Sequence, residues 1–376
     1  GVNESANIVP VESYTTGEGD GVVKSDMQRF DAVETQVLRG KAKRCFVIAA
    51  VLWRREHLQL SSSTSQVYTV HACVINLTNA QYCCNGKATT GAVSAIVGGD
   101  QDYSICSAVG LENIDNVSEV KSCFSALLTP QGKYLYDFII IKHKLGYFLD
   151  CEKKNIENLY KQLNLYKLRS NVDILNLSNE FVVTNLTKEK FLELENSKDE
   201  VGFTIKFRED PILLDPRSDK LGARLVINLE KLYLSIKKLG LNVSDVSEYY
   251  NYSHELGIAQ IDTNKLQDKI FGIECNFEEP NGIDFKKGCY VGQENTARIK
   301  LKNKLSKRLL PIEIIDGKLS EDETIYYNDV DIGKVLINED YPFALIKYSN
   351  KNFSKDFIFK SKDGTFKIFI PEWLKI

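Results

Sequence analysis

Eight consecutive residues, Lys287-Gly288-Cys289-Tyr290-Val291-Gly292-Gln293-Glu294, put a thiol, a phenol, two glycines and both signs of charge in one short stretch. The glycines bracket Cys289 and Tyr290. Glycine reaches positive φ and permits close backbone approach, so the thiol is expected on a tight, exposed corner. Gln293 and Glu294 open an expected helix that runs past Arg298. A cysteine just ahead of a helix start feels the positive end of the helix dipole, and Lys286 and Lys287 add charge of the same sign. Both effects favour thiolate, the reactive form of the side chain. Glu294 complements the helix start and is spaced to pair with Arg298 one turn later. The bland reading is that Cys289 is a small buried hydrophobe and the glycines only form a turn.

A second group lies upstream. Asp215, Arg217 and Arg224 either line a pocket for an anionic ligand or form an internal ion pair behind a strand. Arginine suits a carboxylate ligand because its planar fork makes two parallel hydrogen bonds. His254 is either a proton carrier or a polar residue on a helix face. Tyr249, Tyr250 and Tyr252 either stack on a flat ligand or pack in a core. The run Lys300, Lys302, Lys304, Lys307 and Arg308 reads as a solvated face, with a partner or RNA contact as the minority alternative.

The bulk properties narrow the classes. A chain of 376 residues is long for one core, so two or three domains are expected. A net charge of -3 demands neither nucleic acid nor an acidic membrane as partner. Nine cysteines without a CxxC pair point to free thiols in a reducing compartment. Cys73, Cys83, Cys84 and Cys106 fit no zinc spacing, and no metal ligands are expected. No apolar run reaches membrane-span length; residues 45–53 are far too short. The chain begins with Gly1 and its one methionine is Met27, so an N-terminal address is not legible.

The elements that would carry these residues differ along the chain. Residues 1–110 hold 4 Lys and 5 Arg, against 33 Lys and 6 Arg in 111–376. That shift suggests two origins, a fusion or an artificial join. In the first part, residues 27–39 read as a helix, 45–53 as a buried element, 66–77 as a strand, and 91–99 as a small apolar stretch ending in a turn. In the second part, strands are expected at 123–128, 134–142 and 147–151, an antiparallel meander whose first turn is Thr129-Pro130-Gln131-Gly132. An amphipathic helix over 155–166 presents Ile156, Leu159, Leu163 and Tyr166 on one face. Strands follow at 172–177 and 180–184, then helical stretches at 188–194, 245–256, 265–270 and 294–303. Six short strands from 309 to 370 suggest a small barrel, with Asp363-Gly364 at a hairpin turn.

On these residues the chain resembles the YgfZ family of folate-binding proteins. The stretch from Lys287 to Glu294 looks like that family's K-G-C-Y-x-G-Q-E signature, and Ala297-Arg298 stands where the family has A-R. Ser125-Ala126-Leu127-Leu128-Thr129-Pro130-Gln131-Gly132-Lys133 resembles its early strand and turn. Leu214-Asp215-Pro216-Arg217 with Leu221-Gly222-Ala223-Arg224 resembles its D-P-R…L-G-x-R stretch. Tyr252, His254, Gly257-Ile258, Glu279-Pro280 and the ending Pro371-Glu372-Trp373 also fit. The resemblance covers about residues 112–376; residues 1–110 do not resemble the family's usual start.

The resemblance implies the fold of the glycine-cleavage T-protein. That is an α+β architecture with a folate-binding α/β domain at 111–304, containing the signature, and a small C-terminal antiparallel β-barrel at 305–376. Residues 1–110 are then an atypical N-terminal segment. It also implies tetrahydrofolate as cofactor, held around Asp215, Arg217, Arg224 and Tyr252. The implied activity is assembly or repair of 4Fe–4S enzymes, including one that modifies tRNA. It would run through Cys289, with Lys287, Tyr290, Gln293, Glu294 and Arg298 around it. Partners would be client enzymes or assembly factors, with neither a membrane nor direct nucleic-acid contact. The address would be cytoplasmic in a bacterium and the mitochondrial matrix in a eukaryote. Two other readings stand beside it: an aminomethyltransferase of glycine-cleavage type, although T-proteins lack the thiol signature, and a non-catalytic scaffold for client proteins.

Overall fold

The computed structural model describes residues 66–70, 72–78, 116–144, 146–167, 173–287, 290–302, 305–347 and 358–374. The expected elements at 27–39, 45–53 and 91–99 lie outside them. Two compact units emerge: Gly1–Thr64 with Asn228–Val243, and Ser65–Ile227 with Ser244–Ile376. The described part of the first unit is a helix, Leu229–Lys238, and a short strand, Asn242–Val243. Asn228 caps that helix by accepting a hydrogen bond from the Glu230 N–H.

The larger unit carries the signature and is built from two sheets and a barrel. The first sheet has the order β3-β4-β5-β2-β6. Its strands are β2 (Ala72–Thr78), β3 (Cys123–Leu128), β4 (Tyr134–His143), β5 (Gly146–Glu152) and β6 (Asp173–Asn176). The meander β3-β4-β5 is antiparallel throughout, as expected. Its first turn closes with the Gly132 N–H donating to the Thr129 carbonyl at 2.8 Å. Gly132 sits at φ +83°, a conformation that favours glycine. Helix α1 (Ile156–Lys167) follows and buries Ile156, Leu159 and Leu163, the face its periodicity marks.

The second sheet runs β1-β7-β10-β9-β8 within this unit. Its strands are β1 (Gln66–Val70), β7 (Phe181–Leu186), β8 (Thr204–Phe207), β9 (Asp210–Leu214) and β10 (Ala223–Asn228). The single strand expected at 66–77 is two strands in two different sheets: β1 pairs with β7, and β2 pairs with β5 and β6. Alternation reports that a segment is extended but not which sheet it joins, so periodicity alone does not separate the two. Short helix α2 (Lys188–Leu192) and helix α3 (Val246–Glu255) are capped by Thr187 and Asp245. Beyond α3, the helix expected at 265–270 is only a 3-10 turn, Thr263–Leu266. The Glu152 carboxylate holds the entry to that turn by accepting from the Asp262 N–H at 2.8 Å and the Thr263 N–H at 3.0 Å. This tie fixes the short turn and leaves no run of helical hydrogen bonds.

Helix α4 (Gln293–Leu301) leads into the closed barrel. Its strands are β11 (Lys307–Gly317), β12 (Thr324–Tyr327), β13 (Val330–Ile337), β14 (Phe343–Lys347), β15 (Ile358–Lys360) and β16 (Gly364–Ile368), in the order β11-β14-β13-β12-β15-β16. Inward side chains including Leu310, Ile312, Ile325, Ile346, Phe359 and Phe366 fill it. Closure leaves the six strands without a free edge. A second apolar core joins the sheets to α3 and the barrel through Phe124, Tyr134, Val226, Tyr249, Phe277, Tyr290 and Phe343. No helix among the described residues is long and apolar enough to cross a membrane.

Candidate functional site

The described part of the signature is held by backbone packing. Gly292 has φ +83°, and a Cβ there would lie 2.6 Å from the Thr129 carbonyl oxygen and 2.8 Å from the Gly132 Cα. A Cβ on Gly132 would in turn lie 3.1 Å from the Gly292 carbonyl oxygen. The signature glycine and the β3–β4 turn glycine therefore require each other. The contact is stitched by Asn295, whose Nδ2 donates to the Gln131 carbonyl at 2.8 Å. Thr296 adds a hydroxyl bond to the Gly292 carbonyl at 3.0 Å.

Tyr290 is buried in the inter-sheet core, and burial pushes its phenol up to about 12. The Lys287 ammonium lies 5.5 Å from the centre of that ring. Gln293 is the first residue of α4, and Glu294 and Arg298 are on the same helix, both exposed. Gly288 and Cys289 lie outside the described residues, so the thiol's own surroundings stay an expectation from the sequence.

Asp215, Arg217 and Arg224 form a buried ion-pair wall. Arg217 donates from Nε (2.9 Å) and its backbone N–H (3.0 Å) to Asp215 Oδ1, and from Nη2 (2.7 Å) to Oδ2. Arg224 donates from Nε (2.8 Å) to Asp150 Oδ2 and from Nη1 (2.9 Å) to the Tyr249 hydroxyl. Burial alone would raise Asp215, but the guanidinium groups of Arg217 and Arg224 hold it below the usual carboxylate range. The internal ion pair, one of the two readings of these residues, is what the structure contains. Both guanidinium forks face carboxylates of the protein rather than standing open for an anionic ligand.

This wall borders two adjoining recesses. The polar one is lined by Asp137, Asp150, Glu152, Arg224, Tyr250 and Gln260. The apolar one is lined by Tyr134, Leu266, Phe277, Leu309 and Trp373, among others. Asp137, Arg217, Phe124 and Thr263 face both. Asp137 receives a 2.5 Å hydrogen bond from the Tyr134 hydroxyl. Burial raises its carboxyl above the usual range, against the pull of that hydrogen bond and of Arg217. Burial raises Asp150 and Glu152 as well. Three acids with raised pKa in one recess form the kind of cluster that marks ligand or proton chemistry.

Of the three α3 tyrosines, Tyr249 is buried against Arg224 and Tyr250 lines the polar recess, whereas Tyr252 is 43% exposed and borders neither recess. His254 is held by the Pro342 carbonyl at 2.8 Å and packs edge-on to Phe343. Burial lowers its pKa, which keeps the ring neutral. Within the basic run that starts in the last turn of α4, Lys300 pairs with Glu278 and Arg308 with Glu279. The sequence reading missed Asp137, Asp150, Glu152 and Gln260. A signal for the first two was present: each is an acid that interrupts an apolar run inside a strand, in YLYDFIII and GYFLDC.

No family model matches the chain. It is 26% identical over 221 residues to "Iron-sulfur cluster assembly factor IBA57 homolog, mitochondrial" of Dictyostelium discoideum, covering 53% of this chain and 54% of that protein. The Neurospora crassa homolog is 27% identical over 229 residues, covering 57% and 50%. Human IBA57 is 27% identical over 202 residues, covering 51% and 54%. The homologues are iron–sulfur cluster assembly factors of the IBA57 type. The chain spans about half the length of the relatives it matches. Among solved structures, the glycine cleavage system aminomethyltransferase T of Bartonella henselae superposes with a TM-score of 0.60 at 12% identity, covering 86% of this chain and 89% of that one. The mixed α/β architecture with its closed C-terminal barrel is therefore the T-protein-like fold the signature suggested.

Proposed function

We propose that this chain serves iron–sulfur cluster assembly or repair, that it binds a folate in the two-part recess, and that Cys289 is the thiol through which it acts on cluster or client. The observation that carries this reading is the similarity to assembly factors of the IBA57 type. The recess supports the folate component. A folate joins a flat heterocycle rich in N–H donors to an aromatic ring, and the walls offer acids on one side and Tyr134, Phe277 and Trp373 on the other. Bound there, the folate would supply one-carbon or redox chemistry at its ring nitrogens. Asp137, bordering both recesses, would face it and hold or accept a proton on its carboxyl. Asp215, Arg217 and Arg224 would act as the rigid rear wall rather than as a clamp for the glutamate tail, and Tyr252 would lie outside the site.

In the signature, Lys287 and the start of α4 would favour the Cys289 thiolate, with Gln293, Glu294 and Arg298 presenting a polar helix face to a partner. Partners would be components of the assembly machinery or its clients, and the relatives' names support the mitochondrion as the compartment. The domain scheme is a folate domain up to about residue 304, with the strands at 66–78 as part of it, and a barrel from 305.

The test is complementation. The chain, carrying a matrix-targeting leader, is expressed in cells lacking their own factor, and aconitase activity is measured. Wild type is expected to restore activity and Cys289→Ala to fail. A full rescue by the alanine variant removes the thiol role, and no rescue by wild type removes the assembly role. The fold likeness to an aminomethyltransferase favours a second reading as an enzyme of that type. Methylene transfer from an aminomethylated lipoyl carrier to tetrahydrofolate would install that reading in place of the first.

A further inference from the structure

We infer that Asp150 is a ligand-recognition residue whose Oδ1 accepts an N–H from the exocyclic amine of a flat amidine-like heterocycle, such as the 2-amine of a pterin. The inference rests on the folate reading above and names the atom that reads the ring. Asp150 is 3% exposed on β5 and lines the polar recess. Its Oδ2 is engaged by Arg224 from Nε at 2.8 Å and Nη2 at 2.7 Å. Its Oδ1 is buried, and among the described residues no group donates to it. A buried acceptor without a donor carries the full cost of its lost hydration, more so when charged, and such atoms in native proteins call for a partner.

The neighbouring side chains are committed elsewhere. Arg224 Nη1 donates to the Tyr249 hydroxyl at 2.9 Å. The Gln260 amide is fixed at both ends: Oε1 accepts from Arg217 Nη1 at 3.0 Å and Nε2 donates to Tyr249 at 2.8 Å. The Glu152 carboxylate already accepts from the Asp262 and Thr263 backbones and from the Thr263 hydroxyl. The acids Asp137 and Glu152 in the same recess disfavour an anion and favour a donor edge. Burial raises the Asp150 carboxyl above its usual range, and the Arg224 guanidinium counters that rise.

The experiment titrates the full chain calorimetrically with tetrahydrofolate and with its 2-desamino-2-methyl analogue, which lacks the exocyclic amine and keeps the N3 proton. Wild type is expected to prefer tetrahydrofolate by at least about tenfold, the usual worth of a hydrogen bond to a charged acceptor. Asp150→Asn is expected to lower tetrahydrofolate affinity by a similar factor and to bind the two ligands within about threefold of one another. If Asp150→Asn does not fold, the wild-type comparison decides alone. Equal binding of both ligands by wild type overturns the inference while the folate reading stands, and leaves Oδ1 to a water. Binding of neither ligand overturns the folate reading and this inference with it.

Discussion

Replacing Asp215 with Asn isolates the charge at the centre of the buried wall. The carboxylate has no exposed surface, and it accepts from Arg217 Nη2 at 2.7 Å, Nε at 2.9 Å and the backbone N–H at 3.0 Å, with Arg224 Nη1 at 3.7 Å. Asparagine keeps the volume and one acceptor but leaves Arg217 without its counter-charge in a dry site. Removing one partner of a buried pair costs about 3–5 kcal/mol, and the retained acceptor places the loss near 3 kcal/mol. Against a typical unfolding free energy of about 5–15 kcal/mol, that loss is readily measured. The control is Asp331→Asn at the exposed pair with Lys347, 2.8 Å apart and about half-exposed, where less than about 1 kcal/mol is expected.

Urea denaturation of both variants at pH 7 gives the comparison. The pH dependence adds a second check. The folded-state pKa of Asp215 is depressed, so its contribution is present above the unfolded value of about 3.9 and disappears as pH falls through the folded value. The deficit of Asp215→Asn should therefore be full at pH 7 and close below about pH 4. A loss no larger than that of Asp331→Asn, or a deficit that widens in acid, would refute the picture of a dry, charge-balanced wall.

Three further outcomes are expected. Gly292→Ala should cost roughly 3 kcal/mol or more in urea melts, because it combines a left-handed backbone with a Cβ pressed on the backbone at Thr129 and Gly132; Gly240→Ala, with φ +66° and nothing within 4 Å, should lose only about 1–2 kcal/mol. His254→Gln should flatten the acid limb of stability. The folded His254 pKa lies below its unfolded value of about 6.5, so wild type should lose up to about 1 kcal/mol relative to the variant between pH 7.5 and 5.5. Trp373→Phe should abolish a tryptophan fluorescence change on adding tetrahydrofolate, since Trp373 lines the apolar recess and the other tryptophan, Trp53, remains as background.

The legible parts of this protein are those governed by local rules. The meander, α1 and the barrel strands announce themselves through periodicity and turn chemistry, and the signature through a density of special residues in eight positions. The illegible parts depend on contacts distant in sequence. Nothing local reveals that 66–70 and 72–78 join different sheets. Nothing local reveals that Arg217 and Arg224 turn inward to Asp215 and Asp150. Tyr249, Tyr250 and Tyr252 look equivalent in sequence, and only the rotation of α3 against its neighbours places the second on the recess and the third at the surface. A charged residue interrupting an apolar strand, as at Asp137 and Asp150, is the sequence signal most worth adding.

The paired glycines carry a consequence for what the chain tolerates. The turn Thr129–Gly132 resembles any surface hairpin, the sort of place where a residue is commonly gained or lost without harm. Here it is the footing of the segment that follows Cys289, since Gly132 and Gly292 abut backbone to backbone and Asn295 is tied to Gln131. One residue more or less in that turn would shift the signature bodily. Because β4 starts two residues beyond Gly132 and carries Asp137, the recess and the signature also share one origin of coordinates. Their separation is set by the hairpin, and a graft of the eight-residue signature onto another loop would not carry that spacing with it.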